Sequence, residues 1–305
     1  MERTRPVIYV GIDSSWRHSG ALEWALRGAD LRHEPLRAVY VVDQTVRRAP
    51  YSEPIIVDEA AVDLVDEVQK HLDARRDRLD LDADLMGGRP ATTLVEAAAG
   101  STMLVVGRRG TGAFKRLLIG STSEEIVNVA TVPVVVVPDR WKPGDHSGPV
   151  VVAVGGSDAD QGSIEFAVTA VIEREVPLRL VHVWELPSVH SRDAAATTRA
   201  EQEWDDNARR WGEAVAGEWQ LRYPELVLEV DVRRGHAVDG VITAAEQCDA
   251  QLLVVGGRHH HRTTAMLLGS VARGVLHHAS CPVAVVHAEQ TSVGPASGGH
   301  AGDEM

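Results

Sequence analysis

The chain has only two cysteines in 305 residues, Cys248 and Cys281, and they do not stand at C-x-x-C spacing. That excludes a disulfide framework. Cys281 precedes Pro282 just ahead of an apolar strand, so its expected role is a small buried hydrophobe. Nothing beside it marks the lowered thiol pKa that a redox role needs. Positive charge is also in deficit: 31 Lys and Arg against 44 Asp and Glu give a formal charge of −13. A general nucleic-acid binder shows a basic face, so the sum argues against that class of partner. No apolar run approaches the ~20 residues that cross a bilayer. The start, Met1-Glu2-Arg3-Thr4-Arg5-Pro6, leads into a strand without a signal-type apolar region. The expected compartment is the cytoplasm, with no membrane partner.

Several catalytic signatures are missing as well. Gly-x4-Gly-Lys-Ser/Thr occurs nowhere, and Gly110 and Gly112 lack the third glycine of a dinucleotide fingerprint, since position 115 is Lys. There is no Gly-x-Ser-x-Gly elbow and no His-Glu-x-x-His. The run His259-His260-His261 reads as a solvated loop, because adjacent loop residues rarely converge on one ion and no second ligand cluster sits at metal-site spacing. No metal centre and no catalytic residue is assigned on these grounds.

What the chain does contain is itself, twice. Pro35-Leu36-Arg37-Ala38-Val39-Tyr40-Val41-Val42-Asp43 returns as Pro177-Leu178-Arg179-Leu180-Val181-His182-Val183-Trp184-Glu185. Leu104-Val105-Val106-Gly107 returns as Leu253-Val254-Val255-Gly256, and Leu118-Ile119-Gly120-Ser121 as Leu267-Leu268-Gly269-Ser270. Val132-Pro133-Val134 to Val137 returns as Cys281-Pro282-Val283 to Val286. The order is kept, so a domain has been duplicated, as the length also favours. The expected division is 1–140, a linker at 141–148, 149–288, and a Gly/Ser-rich disordered tail from 289 to 305.

In the first copy Val7 to Ile12, Leu36 to Val42 and Met103 to Val106 are apolar runs of the kind buried on both faces of a sheet. Helices are expected over 19–31, 58–79 and 91–99, with Ala61, Val65, Val68, Leu72 and Leu79 forming one apolar stripe. A third strand is expected over Leu81 to Met86. In the second copy Trp204, Ala208, Trp211, Val215 and Trp219 recur at helical spacing. Core packing is the preferred reading there over a base-stacking platform, which needs a basic groove. Alternating β and α segments predict an α/β class: two tandem copies of a five-stranded, parallel, doubly wound, Rossmann-like sheet. Such sheets bind ligands at strand carboxyl ends where the strand order reverses. Asp13 and Gly107 would then face one crevice. The last strands, Val134 to Val137 and Val283 to Val286, would be exposed edges unless paired.

The loop after Val106 carries the chemistry. Gly107, Gly110 and Gly120 let the backbone approach an anion, and the following helix start offers unsatisfied N–H groups, with Ser121 as N-cap and hydroxyl donor. Arg108, Arg109, Lys115 and Arg116 either neutralise such an anion or lie in solvent. The spacing Gly107-x2-Gly110-x9-Gly120-Ser121, within this duplicated unit, resembles the ATP-binding signature of the universal stress protein family. The resemblance spans about residues 6 to 288. It implies an adenine nucleotide alpha hydrolase-like fold and ATP as ligand, with Mg2+ left open. It implies Asp13 and Val41 on the nucleoside side, and Gly107, Gly110, Gly120, Ser121 and Thr122 at the triphosphate. It also implies pairing of the last strands, within the chain or between chains. Pairing of the two copies is favoured, with a further homodimer left open.

The copies differ where it matters. Gly155 stands at the Asp13 position and His259 at the Gly110 position. The corresponding second-copy residues Val183, Gly256, Gly269, Ser270 and Val271 therefore carry a weaker expectation, and one nucleotide per chain is expected. Asp13 fits a ribose acceptor, the preferred reading, with a turn or cap residue after a strand as the alternative. The leading reading is an ATP-binding regulatory protein acting in stress response or growth adaptation through its bound state. The alternatives are a slow ATPase or nucleotidyl-transfer enzyme on the same fold, and an interaction module that binds no nucleotide.

Overall fold

The structure, a computed structural model, describes residues 6–44, 59–75, 79–110, 118–139, 141–142, 144, 147–156, 160–185, 194–257 and 268–287, with backbone alone at 194–197. The expected tail and the histidine run at 259–261 lie outside the described residues, as do Lys115 and Arg116.

The first copy runs β1 (Ile8–Ile12), α1 (Trp16–Ser19), α2 (Ala21–Arg32), β2 (Leu36–Asp43), α3 (Glu59–Asp73), β3 (Leu81–Gly88), α4 (Pro90–Ala97), β4 (Met103–Gly107), α5 (Ser121–Val129) and β5 (Val134–Val137). The second runs β6 (Val150–Val154), α6 (Gln161–Arg174), β7 (Leu178–Trp184), α7 (Ala194–Arg222), β8 (Leu228–Arg234), α8 (Ala237–Gln247), β9 (Leu252–Gly256), α9 (Ser270–His278) and β10 (Val283–Val286).

Three helix boundaries differ from the sequence expectation. The helix expected over 19–31 begins at Ala21, because Gly20 takes a left-handed φ of 72° and splits off the short α1. A side chain there would also meet the Trp141 backbone oxygen, since a Cβ would sit 2.8 Å from it. The helix expected over 58–79 spans Glu59–Asp73, and that over 91–99 spans Pro90–Ala97 with proline in its first turn.

The ten strands form one sheet in the order β3-β2-β1-β4-β5-β10-β9-β6-β7-β8. Within each copy all pairs are parallel, and β1 lies between β2 and β4, which is the reversal point expected. The copies join at the centre through an antiparallel pair, Val283 opposite Val136 and Val285 opposite Val134. The two valine strands thereby remove each other's open edge, and all eight side chains are buried.

Alternation along the strands divides the core into two layers that cross both copies. Ile8, Val10, Met103, Val105, Val135, Val150, Val152 and Ala284 pack under α2, α3, α6 and Trp219 of α7. Val39, Leu104, Val106, Val134, Val136, Leu253 and Val285 pack under α4, α5, α8 and α9. The aromatic stripe of α7 is core only in part. Trp219 is fully buried, Trp211 packs on His182 with ring centroids 4.9 Å apart, and Trp204 remains 43% exposed beside Trp184. Cys281 packs against the second layer, and burial pushes its thiol pKa up to about 12, so it is a protonated hydrophobe at neutral pH. Among the described residues no helix is long and apolar enough to cross a membrane.

Candidate functional site

The crevice at the β1/β4 reversal is built from three backbone segments. Beyond β1, the Asp13 carboxylate accepts from the Ser15 N–H at 2.8 Å and the Ser15 hydroxyl at 2.5 Å, while the Asp13 carbonyl accepts from the Trp16 N–H. This turn holds the carboxylate with its other oxygen toward Gly110: a Cβ on Gly110 would collide with Asp13 Oδ2. Asp13 and Gly110 therefore face each other, whereas the residue expected to share the crevice with Asp13 was Gly107.

The return leg is closed by the Gly120 N–H, which donates to the Arg108 carbonyl at 2.8 Å. The helix cap falls one residue earlier than expected. Gly120, extended at ψ 145°, is the N-cap of α5, and Ser121 is its first helical residue; no side chain caps the end. The first intrahelical bond runs from the Glu124 N–H to the Gly120 carbonyl. The N–H groups of Ser121, Thr122 and Ser123 lie ahead of it and point out of the helix end, where the macrodipole is positive. Ser123 went unremarked in the sequence, yet its buried hydroxyl donates to the Gly107 carbonyl at 2.7 Å and ties the helix start to the end of β4. Val41 lies in β2 one residue past the end of the β1 ladder, at Ile12–Tyr40, and its side chain joins the α4/α5 core layer.

The two described arginines are held elsewhere. The Arg108 guanidinium reaches into the second copy and donates to the Ala279 carbonyl, and burial lowers its pKa. Arg109 pairs with Asp139. In this structure the Arg108 side chain is tied to the second copy, while Arg109 stays largely exposed beside Asp139.

The second copy repeats the frame. The Gly257 N–H donates to the Val286 carbonyl, the Gly269 N–H donates to the Gly257 carbonyl at 3.1 Å, and Gly269 caps α9, placing Ser270 and Val271 in its first turn. Gly256 ends β9 as Gly107 ends β4. Val183 packs against α8 so tightly that a Cβ on Gly240 would stand 2.8 Å from its Cγ2. At the end of β6 a carboxylate arrives by another route. Asp160, only 7% exposed at the start of α6, accepts from both the Gly155 and Gly156 N–H groups at 2.9 Å. Its signal was an Asp six residues after the strand end; it holds the N–H groups at the positions of Asp13 and Ser14, whereas Asp13 itself holds that of Ser15.

His277 of α9 has its Nε2 buried without a hydrogen-bond partner among the described residues. Burial, and then His278, Arg273 and Arg108, hold its pKa below the ordinary range, with Glu124 of α5 opposing. The unfolded chain takes up that proton first, so the stability is complete above the ordinary His range and is lost as pH falls through it. Replacing His277 by Asn is expected to shrink the loss of denaturation midpoint between about pH 7.5 and about pH 5.5. Equal losses in both proteins would show that His277 is not responsible.

Fold and crevice together define a duplicated, doubly wound α/β protein with an open helix terminus at the strand reversal. The Universal stress protein family profile matches residues 5–138 and 147–287, and the chain belongs to that family. It is 33% identical to a universal stress protein of Mycolicibacterium smegmatis over 92% of this chain and 96% of that one. It is 32% identical to one of Mycobacterium tuberculosis, over 91% and 96%. The crystal structure of a universal stress protein from Archaeoglobus fulgidus has the same fold, with a TM-score of 0.63 at 18% identity, covering 93% of this chain and 98% of that one.

Proposed function

We propose that the chain binds an adenine nucleotide, ATP, in the first-copy crevice and acts as a regulatory stress protein through the bound state. The observation that carries this reading is the juxtaposition of Asp13, turned toward Gly110, with the open N–H groups at the start of α5. A carboxylate suits ribose hydroxyls and repels phosphate; bare amides at a positive helix end suit phosphate and repel a carboxylate. Both chemistries lie beside Gly110, whose nitrogen is 3.8 Å from where a Cβ on Gly120 would stand, and an acid on one side with amides on the other suits the two ends of a nucleotide. Neither described arginine is needed for the phosphate in this reading, because the amides and any Mg2+ brought with ATP supply the positive charge.

The test is a melting curve with and without ATP, with and without Mg2+. At about a hundredfold excess over Kd, binding adds about 2.7 kcal/mol to the folded state. Gly120→Glu is expected to remove the shift by placing a carboxylate at the phosphate wall. The backbone at Gly120 accepts a side chain, since a Cβ there meets nothing nearer than 3.5 Å. No shift with the wild-type chain, and no nucleotide found by mass spectrometry in the purified protein, would overturn the reading.

A further inference from the structure

The two loops are not independent. A string of hydrogen bonds leads from the first-copy helix cap into the second-copy loop. The Glu124 N–H donates to the Gly120 carbonyl at 2.9 Å, and the Asn128 side-chain Nδ2 donates to the Glu124 carbonyl at 2.7 Å. Asn128 Oδ1 then accepts from the Leu268 N–H, in the other copy, at 3.1 Å. Leu268 is followed by Gly269, whose N–H closes the second loop onto Gly257. Two further ties cross at the same place: Arg108 to the Ala279 carbonyl, and His287 Nε2 against the Val127 carbonyl at 2.8 Å. The side chains Ile126, Val127, Leu268, Ala272 and Val275 fill one buried layer between them.

The wiring runs one way. Asn128 stands seven residues after Ser121, and the residue seven after Ser270 is His277. His277 Nε2, where a reciprocal bond to the first loop would start, has no partner among the described residues.

We propose that α5 couples the two copies: a ligand seated on the first-copy loop fixes α5, and Asn128 carries that constraint to Leu268 and the second-copy loop. This rests on the nucleotide reading above. The physical basis is short and stiff. Helix α5 has 9 residues, so a ligand at its N-terminus and Asn128 at its far end move as one body. Leu268 is anchored to that body and not only to its own domain. A constraint on the start of α5 is passed to Leu268 and Gly269, which is a coupling free energy between two sites. The second copy is thereby a reader of the first copy's occupancy, without needing a ligand of its own.

Hydrogen exchange on the full chain, with ATP as probe, tests this. In the wild type ATP is expected to slow exchange about fivefold or more both at 107–122 and at 257–270. In Asn128→Ala the slowing at 107–122 persists and that at 257–270 is lost. Asn128 is half-buried near the end of α5 and alanine is the better helix former, so the variant keeps the helix, and the retained first-loop slowing verifies its fold. In Gly120→Glu both are lost. Slowing confined to 107–122 in the wild type, or slowing at 257–270 that survives Asn128→Ala, would overturn the coupling while leaving the nucleotide reading intact. Slowing at 257–270 that survives Gly120→Glu would overturn it too, by showing direct entry of ligand into the second copy. No slowing anywhere would overturn the nucleotide reading and the coupling with it.

Discussion

Removing one carboxylate, by Glu173→Ala, is expected to cost about 3–5 kcal/mol of stability, near the top of what a single substitution does. Glu173 lies near the end of α6, and its Oε2 accepts from Arg32 of α2 at 3.0 Å and from Arg174 at 3.4 Å. All three side chains are shielded, at 15%, 9% and 6% exposure respectively. Arg174 also donates to the Ala170 carbonyl and lies over the Trp24 ring, 5.7 Å from its centroid. Burial pulls the Arg174 pKa down to about 10 and pushes the Glu173 carboxyl up, against the attraction of both arginines. Desolvation thus outweighs attraction for the partners taken singly. With Glu173 gone, two buried guanidinium groups lose the carboxylate that pairs with both, beside a further cation at Arg27, and Glu34 is the acid left nearby. Because Arg32 belongs to the first copy and Glu173 to the second, the loss falls on their junction. Melting temperature is expected to fall by about 10 °C. A triple change of Arg32, Glu173 and Arg174 to Met, which removes all three charges, is expected to cost far less than the single one. If Glu173→Ala cost under about 1 kcal/mol, water would have to reach the cluster.

The contrast between that cluster and the sheet shows what the sequence makes legible. Runs such as Met103 to Val106 and Val134 to Val137 have one stable use, a strand covered on both sides, so their order predicts the topology. The pairing of the two valine strands was open to a partner chain as well, and only packing selected the second copy. The positions of Asp13, Gly107 and Gly120 at strand and helix ends were readable, because the local pattern of elements fixes where those ends fall. Arg108 was not. Its guanidinium is directed by a carbonyl at Ala279, 171 residues away, and no local pattern carries that information. The N-cap was misplaced by one residue for a different reason. Glycine and serine both serve as N-caps, and only the extended ψ of Gly120 decides between them. Trp204 kept the helical spacing of Trp211 and Trp219 yet lies at the sheet's margin, where the 29-residue α7 outruns the strands it covers.

The same two-copy comparison bears on the second large effect. Gly110→Ala is expected to weaken ATP binding about ten- to a hundredfold, corresponding to one or two hydrogen bonds made by a charged group, while leaving the melting temperature of the free protein nearly unchanged. The added methyl collides with Asp13 Oδ2, and the carboxylate cannot turn aside freely, because its other oxygen is held by the Ser15 N–H and hydroxyl. Either the loop lifts away from the phosphate or the acid leaves the ribose; both weaken the nucleotide. A double-mutant cycle distinguishes this from a general loosening of the loop. In an Asp13→Ala background the methyl has nothing to strike, so Gly110→Ala should cost little more than Asp13→Ala alone. The second copy already carries such a pair: it has Gly155 in place of the acid and His259 in place of the glycine. Where the carboxylate is gone, the requirement for a missing side chain opposite is gone with it. Additive losses from the two first-copy substitutions would mean that Gly110 is needed for its own backbone, and that its facing Asp13 is incidental.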